Sequence, residues 1–176
     1  MHGRKGITMS EELIMKAQKH DKEAFSQLMR QQKMSMYKVA KAILKSDDDI
    51  ADAMQDTILT CWEKIDTLRK TQYFKTWLIR ILINNCKAIH NKNSKELLTN
   101  EFSNNTMVDG NFTDIEWQEM MTCLNEKQRI VIELYYVEGF KVREIAQMLH
   151  IGQSAVKGRL QSARKSLEAY YNQVGM

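Results

Sequence analysis

The chain has 176 residues, of which 26 are lysine or arginine and 22 are aspartate or glutamate, giving a formal charge of +4. It contains no proline and only seven glycines, so the composition favours an all-helical protein with one ordinary domain or two small ones. No apolar run is long enough to span a membrane, and the first residues lack the apolar section of a secretory signal. We therefore expect a cytoplasmic protein in which Cys61, Cys86 and Cys123 are reduced thiols.

Helical periodicity begins near Ser10. We expect Ser10 to cap the first helix and Asp21 to cap the second. Apolar residues then recur at helical spacing as far as Leu44, which predicts two core-forming helices. Residues 1–9 precede this pattern, and Met9 is a candidate alternative start.

A third helix is predicted from Asp47, where three successive aspartates suit the positive end of a helix dipole. Its apolar side includes Ile50 and Cys61, and the opposite side carries Asp52, Gln55, Asp56 and Leu59. Most acidic helix faces are only solvated. An apolar leucine among the acids is more typical of a docking patch for a basic partner.

The charge reverses between residues 69 and 95, where seven bases occur without any acid: Arg69, Lys70, Lys75, Arg80, Lys87, Lys92 and Lys95. In the predicted helix from Phe74, one stripe is formed by Arg80, Asn84, Lys87 and Asn91. Cations bind phosphates and amides can read bases, so the stripe suits a nucleic-acid track. We expect Phe74, Trp77 and Ala88 in the core, which leaves Tyr73 to stack on an unpaired base.

The helical signal fails over residues 93–113, which are rich in Asn, Ser and Thr and predict a flexible linker. The expected domains are therefore residues 10–92 and residues 114–176. In the second domain, Asn125 and Gln128 predict a capping box, and Gly139 predicts the end of the helix that this box begins.

Residues 142–167 have the pattern of a helix-turn-helix, with two helices separated by only His150-Ile151-Gly152. In the second helix the apolar stripe is formed by Val156, Leu160, Ala163 and Leu167. The polar residues outside that stripe are candidates for contacts with phosphates and base edges in a major groove: Gln153, Ser154, Lys157, Arg159, Gln161 and Arg164. The alternative is a plain helical hairpin with a solvated basic face.

Motifs for catalysis or metal binding are absent from the sequence: there is no glycine-rich phosphate loop, GxSxG or HExxH, and the four histidines are dispersed. Asp52 and Asp56 share a helix face, but no second helix offers matching carboxylates. We therefore expect a protein that is not an enzyme and that needs no metal, cofactor or small-molecule substrate.

Taken together, the motifs resemble those of the extracytoplasmic-function (group IV) sigma factors of bacterial RNA polymerase, over about residues 11–171. The segment DDIADAMQDTILTCWEKI (48–65) is similar to the family's polymerase-binding helix, and FKTWLIRILINNCKAIHNK (74–92) is similar to its minus-ten element reader. The segment LNEKQRIVIELYYVEGFKVREIAQMLHIGQSAVKGRLQSARKSL (124–167) is similar to the domain that reads the minus-thirty-five element.

The resemblance implies roles for the residues already singled out. Core polymerase would be bound by Asp52, Gln55, Asp56 and Leu59. The minus-ten element would be contacted by Tyr73, Lys75, Arg80, Asn84, Lys87 and Asn91, and the minus-thirty-five element by the helix-turn-helix residues from Gln153 to Arg164. It also implies promoter DNA and a cognate anti-sigma factor, often membrane-anchored, as partners.

The chain departs from the family pattern in its recognition helix. Gly152, Ala155 and Gly158 stand where Ser, Thr and Ser are common, which removes three hydroxyls and shifts the expected contacts to Lys157 and Arg159. Ile58 stands where Phe is usual. The competing interpretation is a helix-turn-helix regulator that does not enter the polymerase. The basic stripe argues against it, because the sensor or dimerisation domain of such a regulator has no need of one.

Overall fold

The computed structural model describes residues 9–97 and 119–174, and these residues form helices and turns without a strand. The first described part holds α1 (Met9–Ala17), α2 (Lys22–Ile43), α3 (Asp47–Lys64) and α4 (Phe74–Leu97). The second holds α5 (Glu126–Ile132), α6 (Val142–Leu149) and α7 (Gln153–Val174). Two 3₁₀ turns join α3 to α4, and a π-helical turn, Glu133–Val137, continues α5.

Local sequence sets most of the helix ends. The Asp21 carboxylate accepts hydrogen bonds from the backbone N–H groups of Glu23 and Ala24 at 3.0 and 2.9 Å, so it is the N-cap of α2. The predicted capping box of α5 is confirmed, since Asn125 and Gln128 exchange two hydrogen bonds of 3.0 Å. Ser10 lies within α1, which already includes Met9, so the prediction that it caps this helix is wrong.

The amino-terminal core is formed where α4 packs against both α2 and α3. The prediction for α4 is partly wrong: Ala88 is exposed and Trp77 is only half-buried, whereas Ile79, Ile83 and Cys86 are fully buried. A helix with neighbours on two sides buries a wider band than one apolar stripe. Phe74 is buried, as expected.

A buried polar bridge fixes α4 on α3. The Asn85 side-chain amide donates to the Thr57 hydroxyl at 3.0 Å, and that hydroxyl donates to the Ala53 carbonyl at 2.6 Å. Since Thr57 is fully buried, both groups would lose hydrogen bonds if the helices slid past one another. The bridge therefore sets the register between the acidic helix and the basic helix.

In the second domain, α5, α6 and α7 pack around the stripe predicted for the recognition helix. Val156, Leu160 and Ala163 are buried there, and Leu167 is half-buried against the same core. Gly139 has a φ of +75° in the turn between the π-helical turn and α6, which is the left-handed conformation that glycine tolerates best.

The thiols of Cys61 and Cys86 are free and buried, and burial raises the pKa of each to about 12. Cys123 is also free and is half-buried.

Helix α4 extends to Leu97, so the predicted linker begins later than residue 93, and residues 98–113 of that prediction lie outside the described residues. The two domains contact each other: α2 touches α5 and the π-helical turn, and α4 touches α6.

Candidate polymerase and nucleic-acid interfaces

The predicted docking residues lie together on the exposed side of α3. Because Ala53, Thr57 and Cys61 are buried on one side of the helix, the opposite side presents Asp52, Gln55, Asp56 and Leu59 to solvent. The Leu59 side chain is 55% exposed, which is unusual for a leucine surrounded by acids. We call these four residues the acidic face.

An apolar groove of about 740 Å³ runs between α2 and α3, next to the acidic face. Its lining includes Met34, Tyr37, Ile50, Met54, Ile58 and Leu59. Met34 is 60% exposed, so the groove is open at its α2 edge. For the helix that contains Met34 and Tyr37, the sequence predicted only that its apolar side forms part of the core. The groove depends on the angle between α2 and α3, which the pattern of apolar residues within one helix does not predict.

The basic stripe of α4 is divided between solvent and the domain interface. Arg80, Asn84 and Asn91 are exposed, and Tyr73 is exposed at the start of the helix. Lys75 and Lys87 are half-buried and turn towards the second domain. Lys75 forms an ion pair of 2.8 Å with Glu138, and Lys87 donates to the Leu149 carbonyl at 3.4 Å.

The environment of Lys87 is unfavourable for its positive charge. Partial burial lowers the pKa of this lysine, the nearby Arg159 lowers it further, and Glu126 raises it. Arg159 lies on α7 and is half-buried. The charge of one predicted minus-thirty-five residue in the second domain therefore acts on one predicted minus-ten residue in the first domain.

The other candidate residues of the recognition helix are exposed: Gln153, Ser154, Lys157, Gln161 and Arg164. The Arg164 Nε donates to the Tyr136 hydroxyl at 2.7 Å, and its guanidinium lies 5.7 Å from the centre of that ring. Tyr136 was not predicted from the sequence, because it lies in a different helical segment and meets Arg164 only after folding. Tyr136 orients the guanidinium of Arg164 through Nε, and the two terminal amino groups of that guanidinium stay available to bind an anion.

Gly152, just before the recognition helix α7, and Gly158, within it, both leave space for side chains. A Cβ at Gly158 would meet nothing within 4 Å, and one at Gly152 would meet only the Ser154 hydroxyl oxygen at 3.6 Å. The hydroxyls common in the family are therefore absent here without a steric reason, and the exposed face of α7 has no side chain at position 158.

We expect Gly158→Ala to raise the free energy of unfolding by about 1 kcal/mol, since alanine loses less backbone entropy in a helix interior. Thermal unfolding followed by circular dichroism measures the change. Gly139→Ala is the matched control: it also has open space around its Cβ, but its φ of +75° makes the same substitution destabilising. Equal shifts in the same direction would contradict this account.

Among the described residues, no group of three or more His, Cys, Asp or Glu side chains is placed to hold a metal ion. Within the same residues, no helix is long and apolar enough to cross a membrane.

Two family models match the chain, each over one of its domains. Sigma-70 region 2 matches residues 28–96, and Sigma-70, region 4 matches residues 114–167. The first contains the acidic face, the groove and the basic stripe, and the second contains the helix-turn-helix.

Curated relatives match over most of the chain. The ECF RNA polymerase sigma factor SigM of Mycobacterium tuberculosis is 26% identical over 153 residues, covering 84% of this chain and 76% of the relative. The ECF RNA polymerase sigma-E factor of Haemophilus influenzae is 27% identical over 176 residues, covering 89% and 92%. The RNA polymerase sigma factor SigV of Bacillus subtilis is 27% identical over 137 residues, covering 76% and 82%.

Two solved structures share the fold. CnrH in complex with the cytosolic domain of CnrY has a TM-score of 0.67 at 23% identity, covering 93% of this chain and 97% of that one. The sigma factor RpoE from Bartonella quintana, in complex with the anti-sigma factor NepR, has a TM-score of 0.72 at 22% identity, covering 82% and 94%.

The fold is that of a two-domain helix-turn-helix transcription factor. Because the two region models follow each other in order and span both domains, the chain belongs to the sigma-70 family, as a sigma factor of the extracytoplasmic-function type. This is a family of transcription initiation factors, and the match favours it over a helix-turn-helix regulator that stays outside the polymerase.

Proposed function

We propose that this protein is a cytoplasmic promoter-specificity subunit that binds core RNA polymerase, recognises the minus-ten and minus-thirty-five elements and directs transcription initiation. The observation that carries the proposal is that the two domains carry three polar or charged surfaces in the order of the family models. An acidic face and a polar, basic stripe lie on adjacent helices of the first domain, and a basic recognition helix lies in the second.

Core polymerase binds the acidic face through Asp52, Gln55, Asp56 and Leu59. Complementary charge speeds and orients the encounter, whereas buried apolar contacts supply most of the affinity. The groove beside Leu59 accepts an apolar side chain from the partner, and its lining of methionines can adapt to the shape of that side chain.

The minus-ten element is contacted by α4 and the turn before it, through Tyr73, Lys75, Arg80, Asn84, Lys87 and Asn91. The cations follow the phosphates of the strand, and the amides meet base edges. Extruding a base from the stack costs a few kcal/mol and costs less where the duplex is already opening, so α4 both selects and stabilises melted DNA. The exposed ring of Tyr73 stacks on an unpaired base.

The minus-thirty-five element is held as duplex by α7, through Gln153, Ser154, Lys157, Arg159, Gln161 and Arg164. With Gly152 and Gly158 in place of hydroxyl residues, the lysine and arginine side chains make most of the phosphate contacts.

An anti-sigma factor controls the protein by covering its polymerase- and DNA-binding surfaces. This proposal is supported by the two structural neighbours, one solved with the cytosolic domain of CnrY and the other with the anti-sigma factor NepR. We expect a cognate inhibitor of this chain, anchored in the membrane, to compete with polymerase for the acidic face and the groove.

In-vitro transcription with purified core polymerase and fragmented genomic DNA tests the function. The protein should support initiation without any other specificity subunit, from start sites that share two upstream sequence elements. Core polymerase alone is the control. Duplex binding without initiation on any fragment would favour the regulator that stays outside the polymerase.

A further inference from the structure

Tyr136 is an aromatic residue that is 51% exposed, yet two neighbours hold its ring in place. The hydroxyl accepts a hydrogen bond from Arg164 Nε at 2.7 Å, and the guanidinium carbon of that arginine lies 5.7 Å from the ring centre. The ring of Tyr135 meets the ring of Tyr136 edge-on, with 4.9 Å between the two centres. The phenol and the guanidinium are therefore arranged before any ligand arrives, which lowers the entropy cost of binding one.

A π-helical turn determines where Tyr136 lies. In the turn Glu133–Val137, the N–H of Glu138 donates to the carbonyl of Glu133 at 3.0 Å, one residue further back than in an α-helix. The wider turn rotates the side chains that follow it about the helix axis. Tyr135 is half-buried, whereas Tyr136, next in the chain, is exposed. Such turns are frequent at functional sites, and this one presents a phenol hydroxyl to a cation on α7.

Together the two side chains offer several hydrogen-bond donors and one positive charge. Tyr136 uses only the Nε–H of the guanidinium, so both terminal amino groups keep their hydrogens. A phenol hydroxyl has one hydrogen as well as its lone pairs, so the oxygen that accepts from Arg164 can still donate. The ligand that suits these donors carries negative charge on several oxygens close together, because it can accept from the amino groups and the hydroxyl at once. A phosphate has these properties.

The position of Arg164 on α7 favours a backbone phosphate over a base edge. The helix begins at Gln153, so Arg164 lies about three turns further along. In a helix-turn-helix, the residues near the start of the recognition helix contact base edges. A cation that lies later in the helix, and that is held by a side chain from outside it, is better placed to contact the strand backbone.

We propose that Arg164 and Tyr136 form one binding site for a single phosphate of duplex DNA. The terminal amino groups of the guanidinium and the hydroxyl of the phenol donate to the same phosphate, so Tyr136 binds DNA directly and also orients Arg164. The use of this site on the minus-thirty-five duplex rests on the proposed function; the binding of a phosphate diester does not.

The experiment measures binding of the full chain to a short fluorescent duplex of mixed sequence by anisotropy, over a range of salt concentrations. Phosphate contacts do not depend on sequence, so the promoter need not be known. Arg164→Ala should lower the affinity and reduce the slope of log affinity against log salt by about one. Tyr136→Phe should lower the affinity about tenfold, the effect of one hydrogen bond to a charged group, and leave the slope unchanged because the hydroxyl is neutral.

Tyr171→Phe is the matched control, because Tyr171 is 63% exposed near the end of α7 and its ring contacts Tyr170. This variant should bind as the parent does. Circular dichroism establishes that each variant is folded.

The double variant, Tyr136→Phe with Arg164→Ala, should bind within about twofold of Arg164→Ala alone, because the two side chains hold one phosphate together. Three results would overturn the proposal: parental affinity in folded Tyr136→Phe, additive losses in the double variant, or a reduced salt slope in Tyr136→Phe. The last would mean that the hydroxyl only orients the guanidinium.

In-vitro transcription with the same proteins and core polymerase separates this site from the proposed function. If the parent initiates and Tyr136→Phe binds the duplex as tightly as the parent, the phosphate site alone is wrong. If the parent binds the duplex through Tyr136 and does not initiate, the phosphate site stands and the proposed function is wrong.

Discussion

Replacing both Asp52 and Asp56 by lysine should lower the affinity for core polymerase more than a hundredfold. The two carboxylates lie one helical turn apart on the acidic face and are exposed, so the first domain folds without them. Removing one partner of a charge pair in an interface costs about 2–5 kcal/mol, and reversing the charge adds repulsion. Fluorescence anisotropy with labelled protein and purified core enzyme measures the loss, and the unfolding temperature should change little.

The control separates a specific interface from the general effect of charge. Glu119 and Glu168 are exposed acids of the other domain, and changing both to lysine alters the net charge by the same amount. Because long-range steering depends mainly on net charge and salt, it should weaken similarly in both double variants. If the two variants lost equal affinity, or if the Asp52/Asp56 variant kept it, the acidic face would not be the docking surface.

Helix positions followed from the sequence because the signals for them are local. The side chain of Asp21 and the Asn125–Gln128 pair cap helices within three or four residues of themselves, and the recognition-helix stripe needs only its own spacing. The family resemblance rested on the same local segments. Surface positions such as Asp52 and Arg80 could therefore be assigned as soon as the buried side of each helix was known.

Features that depend on two helices meeting were not predicted. The buried band of α4 includes Ile79 and Cys86 because α2 and α3 both contact that helix, and a single periodic stripe does not report a second neighbour. Lys75 and Glu138 are 63 positions apart, and nothing in either local sequence indicates their pairing. The groove beside Leu59 and the contact of Tyr136 with Arg164 are absent from the sequence prediction for the same reason.

The division of labour proposed for α4 and α7 predicts a second large effect, which is best tested with residues outside the domain interface. Arg80 and Asn84 are exposed on α4, whereas Lys87 also contacts the second domain, so its loss would change the domain interface as well as the proposed DNA contact. Arg80→Ala with Asn84→Ala should slow open-complex formation about a hundredfold, because each lost contact costs roughly 1–3 kcal/mol.

The reciprocal variant, Lys157→Ala with Gln161→Ala on α7, should weaken binding of the holoenzyme to the upstream duplex and reduce the salt dependence by about one phosphate contact. Strand opening is followed by the fluorescence of a 2-aminopurine in the minus-ten element, and duplex binding by anisotropy with a fragment that ends upstream of it. The α4 variant should lose opening and keep duplex binding, because the proposed function assigns contacts with the melted strand to the first domain alone. Equal loss of both activities in both variants would mean that the domains bind DNA as one surface.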